Sequence, residues 1–149
     1  MGRLMHLEAV YYIPDSLRDE ASTLIKDTEL VPDLFKGVKN ITASLIEWTG
    51  SNFFHRFFAD NTIDDEANGI PMYVAITDLK ELLNRCKTVK DSHFLANELL
   101  PCVDEQEPDE AYFEDIEYAI AELERIIPRL EIVSLSRGMC LDINYTASW

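Results

Sequence analysis

The 149-residue sequence predicts an α+β fold, with a helical core of about four helices and a small antiparallel sheet formed by N-terminal and C-terminal strands. Three observations predict it. β-Branched and aromatic runs lie near both ends of the chain. Apolar residues at helical spacing fill the middle. No internal repeat, low-complexity tract or change of composition marks a second unit, and the length suits one domain, 1–149.

The first element is a strand over Leu7–Ile13, ended by Pro14. Asp15 or Ser16 caps a short helix to about Lys26, with Leu17, Ala21, Leu24 and Ile25 on one face. Pro32 and Gly37 bracket a brief turn or helix. From Asn40 a longer helix is expected to about Asp60, because Ile41, Leu45, Trp48, Phe54, Phe57 and Phe58 fit helical spacing. Gly50 weakens its middle by about 1 kcal/mol. Four phenylalanines (Phe53, Phe54, Phe57, Phe58) exceed what one helix face buries, so a central helix or a homodimer contact is expected.

Asn61–Gly69 reads as a polar, acidic loop, and Ile70–Ile76 as a short extended piece. Thr77 caps a helix over Asp78–Lys90 whose core stripe is Leu79, Leu82, Leu83, Cys86 and Val89. His93–Leu100 is a shorter helical segment stopped by Pro101, and Val103–Pro108 is an acidic linker. The strongest helix begins near Asp109 and ends near Ile127, before Pro128, with Phe113, Ile116, Ile120, Leu123 and Ile127 inward. Leu130–Leu135 and Leu141–Tyr145 are two β-rich runs separated by Ser136-Arg137-Gly138-Met139, which reads as a hairpin.

Charge sharpens the picture. Thirteen Lys and Arg oppose 28 Asp and Glu, a formal net charge of −15. With 47% hydrophobic and 10% aromatic residues the chain is not a disordered acidic tail. Such acidity speaks against direct binding of nucleic-acid phosphates and against a polybasic membrane-surface protein. From Asp91 to Glu124 there are 12 acids and no Lys or Arg, and from Phe57 to Leu79 five acids and again no base. What remains is close to neutral. The protein is a balanced scaffold bearing a concentrated acidic surface.

On the Asp109–Ile127 helix, Glu110, Glu114, Glu117 and Glu124 fall on one face, flanked by Asp115 and Glu122. At 1.5 Å per residue this row runs about 21 Å, the scale of a stretch of nucleic-acid backbone. Asp104, Glu105 and Glu107 in the linker, and Asp64, Asp65 and Glu66 in the earlier loop, extend it. Tyr112 and Tyr118 are the expected exposed anchors. A row of carboxylates attracts a basic partner at long range. The plainer role is a solvated face that keeps the chain soluble.

Other chemistries are poorly served. Asp64-Asp65-Glu66-Ala67-Asn68-Gly69 begins like a calcium loop, but Ala75 stands where the bidentate Glu belongs. Cys86, His93 and Cys102 lack zinc-ligand spacing, and no Gly-rich phosphate loop or nucleophile elbow occurs. No metal, cofactor or catalytic residue is therefore expected. The odd, scattered cysteines Cys86, Cys102 and Cys140 suggest free thiols in a reducing cytoplasm. A signal peptide, a transmembrane helix and a myristoylation site, which His6 spoils, are not expected either. Trp48, Asn52 and His55, at i, i+4 and i+7 of the expected helix, form a packed core cluster or a small binding pocket.

The run Trp48-x-x-x-Asn52-x-x-His55-x-Phe57-Phe58 resembles a family of small acidic proteins encoded by tailed phages and prophages. Further motifs follow in the same order: Tyr73-Val74, Leu79-x-x-Leu82-Leu83-x-x-Cys86, Ala96-x-x-Leu99-Leu100-Pro101, and Tyr112-Phe113-Glu114-Asp115-Ile116 leading into Leu123-Glu124. The likeness spans about Ile41–Ile127. Relatives carry a Gly- and aromatic-rich insert where this chain has the short acidic Cys102–Pro108. The resemblance implies phage origin and a host bacterial cytoplasm, with no mechanism attached.

These readings lead to a non-enzymatic phage accessory protein whose acidic face blocks the basic, nucleic-acid-binding cleft of a host protein. A defence nuclease or CRISPR effector is the expected class. The alternative is a small-molecule-binding protein or small hydrolase built on Trp48, Asn52 and His55, with Asp115 nearby. A structural component of the virion is the third.

Overall fold

In the computed structural model the strands nearest the two ends of the chain lie side by side at the centre of one sheet. Residues 4–12, 40–49, 52–60, 69–102, 107–135 and 140–148 are described. Their elements are β1 (Leu4–Tyr12), β2 (Asn40–Thr49), α1 (Asn52–Asp60), β3 (Met72–Val74), α2 (Ile76–Asp91), a 3₁₀ turn over His93–Leu95, α3 (Ala96–Leu99), α4 (Glu110–Leu135) and β4 (Cys140–Ser148). The strands are antiparallel in the order β2-β1-β4-β3. The expected α+β architecture is present, with β1 and β4 as its central pair.

Alternation along β1 sets the two faces of the sheet. Met5, Leu7 and Ala9 are fully buried, whereas His6 and Glu8 lie on the opposite face and keep part of their surface. Register carries these positions across the sheet in rows. Leu7 sits opposite Ile46 on one side and Tyr145 on the other, and Tyr145 opposite Met72. A second row joins Trp48, Met5 and Ala147, and a third joins Ala43, Ala9, Ile143 and Val74. One irregularity interrupts β2: Leu7 pairs with Ile46 but Glu8 with Ser44, so Leu45 is the extra residue of a bulge. Arg125 of α4 donates to the Leu45 carbonyl at 3.2 Å and so ties the bulge to the helical layer. At the far edge Gly69, at φ +74°, donates its N–H to the Ala147 carbonyl at 2.7 Å, a backbone setting suited to glycine.

The helices cover the apolar face of the sheet. On α1, Phe53, Phe54, Phe57 and Phe58 occur at i, i+1, i+4 and i+5 and are all buried within one chain. The phenylalanine excess therefore does not call for a dimer. α2 and α4 pack antiparallel through two apolar stripes: Leu79, Leu82, Cys86 and Val89 on α2, and Tyr112, Ile116, Ala119, Leu123, Ile126 and Leu130 on α4.

Three expectations need correction. Asn40–Asp60 is not one helix: residues 40–49 are a strand, and α1 starts at Asn52 after the Gly50-Ser51 break. Alternation won there, because Ile46 and Trp48 are inward while Glu47 and Thr49 are exposed. Leu130–Leu135 is not a strand either. α4 continues through Pro128 to Leu135, since buried Leu130 and the Lys80–Glu131 ion pair hold the extra turns against α2. β4 pairs with β1 instead of forming a hairpin with 130–135. Third, α2 is capped by Ala75 and not Thr77, with the Asp78 carboxylate accepting the Ala75 N–H at 2.9 Å. The expected helix to Lys26, the turn near Pro32 and Gly37, and nearly all of the Asn61–Gly69 loop lie outside the described residues.

Pro128 removes one helical hydrogen bond from an exposed position of α4. Replacing it with Ala is expected to raise unfolding stability by about 1–3 kcal/mol, read as a higher urea midpoint at unchanged m-value. An unchanged or lower midpoint would show that the proline suits a bend that the packing requires.

Candidate partner-binding face

The acidic face is built on the first turns of α4. Asp109 starts that helix, its carboxylate accepting the Tyr112 N–H at 2.9 Å, and negative charge is favoured at a helix N-terminus. The Tyr112 hydroxyl donates to the Leu100 carbonyl at 2.9 Å, which fixes the start of α4 against the end of α3. Phe113 stacks on His93, with ring centroids 4.0 Å apart and planes 18° from parallel. Between α4 and the end of α2 with its following turn opens a cleft of about 180 Å³. Glu110, Glu114 and Glu117 line it with Lys90 and His93, over Phe113 and Ile116.

Cross-helix ion pairs divide the carboxylates into two groups. Lys87 meets Glu124 at 2.6 Å, Lys90 meets Glu117 at 3.1 Å, and Lys80 meets Glu131. Lysine numbers rise as glutamate numbers fall, as an antiparallel pair requires. Glu122 is held by Arg125 on its own helix, and half-buried Asp115 also has a partner. Glu107 is exposed and accepts from the Asn97 amide at 3.2 Å. Glu110 and Glu114 are exposed at the cleft and make no ion pair among the described residues. Thus the row spaced along the sequence as one unit is, in space, a paired stretch at Glu117 and Glu124 and an open one at Glu110 and Glu114. Asp104, Glu105, Asp64, Asp65 and Glu66 lie outside the described residues.

Of the two expected aromatic anchors, Tyr118 is 45% exposed, but Tyr112 is only 6% exposed. Tyr112 belongs to the core, where its ring packs against Phe53 at 4.8 Å. Its phenol pKa is raised, chiefly by burial. The reason is the phase of the stripe. It runs through Tyr112, Ile116, Ala119 and Leu123, with Phe113 and Ile120 on its margin, so the acidic motif around Tyr112 does not put that ring in water.

The candidate pocket residues sit in the core. Trp48 projects from β2, 3% exposed, and stacks on Phe54 at 4.6 Å, while its indole N–H has no hydrogen-bond partner among the described residues. His55 projects from α1, 4% exposed, with Nδ1 3.0 Å from the Tyr145 hydroxyl. Asn52 begins α1, and its side chain lies outside the described set. The i, i+4, i+7 geometry proposed for the three is lost, because Trp48 is on a strand and His55 on a helix. A second, smaller cleft of about 50 Å³ lies by Arg56 and Arg85. Both guanidiniums donate to carbonyls at or beyond the end of α3, Arg85 to Leu99 at 3.3 Å and Arg56 to Cys102 at 3.1 Å. They fasten the approach to the acidic linker.

No group of three or more His, Cys, Asp or Glu suited to a metal occurs among the described residues, and no described helix is long and apolar enough to cross a membrane. No protein-family model, curated protein or solved structure matches the chain. Sequence reasoning did not find the lysines of α2 or the His93–Phe113 stack. Glu117, Glu124 and Glu131 recur every seven residues, as do Lys80 and Lys87, and that shared period was the available signal.

Two outcomes follow from burial at these positions. His55→Ala should destabilise the fold by about 2 kcal/mol or more, because it opens a cavity and removes the hydrogen bond to the Tyr145 hydroxyl. The folded fraction should bind partners as wild type does; a stable variant with lost binding would restore the pocket reading. Burial also pushes the Cys86 thiol up to about 12. The unfolded chain releases this proton at lower pH than the folded one, so stability is full below pH 9 and falls as pH rises towards 12. Urea midpoints measured across pH 8–11 should decline, and the Cys86→Ala variant should decline less steeply. Parallel profiles for the two would contradict the assignment.

Proposed function

We propose that the protein acts by binding: its acidic face docks on the basic, nucleic-acid-binding cleft of a host protein and blocks it. On this reading the chain is a phage accessory protein of the anti-defence kind, and a nuclease or CRISPR effector is the expected class of target. The observation that carries the reading is the cleft at the start of α4, where Glu110 and Glu114 stand exposed without an ion pair among the described residues. Unpaired surface carboxylates repel one another and favour a cationic partner, whereas those at Glu117 and Glu124 are already answered by Lys90 and Lys87. The phage resemblance supports the setting. The hydrolase alternative draws less support, since buried His55 is occupied with Tyr145.

The test uses the double variant Glu110→Lys, Glu114→Lys, which spares the residues paired with α2. Wild-type protein immobilised in a bacterial lysate should retain a nucleic-acid-binding protein that added DNA or RNA displaces. The variant should retain at least tenfold less of it, with its unfolding stability within about 0.5 kcal/mol of wild type. Equal retention by the variant, or retention indifferent to nucleic acid, would overturn the reading.

A further inference from the structure

Two of the chain's 13 basic residues line the smaller cleft, set between α1, α2 and the end of α3. Phe53, Arg56 and Phe57 fall at i, i+3 and i+4 on α1, so burial of the phenylalanines carries half-buried Arg56 to the cleft. Arg85, next to buried Cys86 on α2, joins it from a second element. No Asp or Glu is among the described residues that line the cleft. Both guanidiniums are fixed by the protein itself. Arg56 Nη1 donates to the Cys102 carbonyl at 3.1 Å. Arg85 donates through Nε to the Glu81 carboxylate at 2.8 Å and through Nη1 to the Leu99 carbonyl at 3.3 Å, with Cζ 5.3 Å from the centre of the Phe57 ring. A guanidinium carries N–H donors on all three nitrogens. Those two bonds leave Arg85 Nη2 without a hydrogen bond among the described residues.

We propose that this cleft binds one phosphate group, held by Arg56 and Arg85. The inference goes beyond the acidic-face reading and does not depend on it. Two positive charges lining one small cleft repel each other, and a dianion between them removes that cost. Both side chains are already ordered, so little freedom is lost on binding. Phosphate fits better than carboxylate. A carboxylate is planar and one arginine fork satisfies it, whereas a tetrahedral phosphate offers oxygens to donors from two elements. Size sets the limit: one water needs about 10–15 Å³ of cavity, so about 50 Å³ takes one phosphoryl group and leaves any attached group outside. The net charge of −15 opposes anions at long range, so the affinity is expected in the millimolar range.

Thermal unfolding at matched ionic strength tests this, with about 20 mM inorganic phosphate, glycerol phosphate or acetate replacing chloride. Wild type should gain about 2 °C or more in Tm from inorganic phosphate and little from acetate. Arg85→Gln and Arg56→Gln should each lose at least half of that gain. Lys80→Gln, the same charge change elsewhere on α2, should keep it. Phosphate also stabilises proteins by exclusion from their surface, an effect common to every variant, so the difference between variants is the readout. Circular dichroism checks each fold, and should Arg56→Gln not fold, Arg85→Gln decides alone. A matching gain from glycerol phosphate marks a site for a phosphoryl head, and a gain from inorganic phosphate alone marks a free-ion site; either supports the proposal. No gain in wild type, an undiminished gain in either folded arginine variant, or an equal gain from acetate would overturn it.

Discussion

The antiparallel packing of α2 on α4 carries two consequences at once. Its apolar stripes hold the helical layer together, and its flanks bring Lys80, Lys87 and Lys90 to Glu131, Glu124 and Glu117. The two contributions differ in size. Each buried aliphatic side chain is worth about 1.5–3 kcal/mol, whereas a half-exposed ion pair is worth about 0.2–1 kcal/mol. Burial therefore holds the helices together, and charge fixes their register. It also divides the carboxylates of α4 into those answered by α2 and those, Glu110 and Glu114, with no ion pair among the described residues.

That division recasts the charge of −15. As a bulk property such charge favours hydration and opposes approach to nucleic-acid phosphates. Followed into three dimensions, part of it is structural, because Glu117 and Glu124 sit opposite lysines from a neighbouring helix. Among the described residues the open part is Glu110 and Glu114, where α4 begins beside the His93–Phe113 stack. The sheet contributes by holding this end in place. Its rows from Ile46 through Leu7 and Tyr145 to Met72 bed the α1 phenylalanines, and Phe53 in turn packs on Tyr112 at the first turn of α4.

Much of this was legible in the residues, and the failures have physical causes. Leu7–Ile13 and Leu141–Tyr145 showed as strands because β-branched and aromatic residues crowd there, and their place in one shared antiparallel sheet was anticipated, though not their direct pairing. Residues 40–49 misled because Ile41, Leu45 and Trp48 satisfy a helical period while Ile46 and Trp48 satisfy alternation, and a short apolar run cannot choose between them. The register with β1 chose. At Pro128 local propensity lost to tertiary packing, as it commonly does when the next turn has a core residue to bury. In the candidate site the carboxylates were legible by spacing alone, but their partners were not, because α2 and α4 are far apart in sequence. Tyr112 was misplaced by about one position in the phase of the stripe, enough to turn a buried ring into an expected surface anchor.

The central claim is that open carboxylates at the start of α4 draw in a basic partner, and the salt dependence of the association rate tests it most directly. Stopped-flow or surface-based measurement with the captured partner, between 50 and 500 mM NaCl, should show the wild-type rate falling tenfold or more while dissociation changes little. The Glu110→Lys, Glu114→Lys variant should associate slowly at every salt concentration. A wild-type rate that stays flat with salt would contradict the claim and return the acidic face to a role in solubility alone.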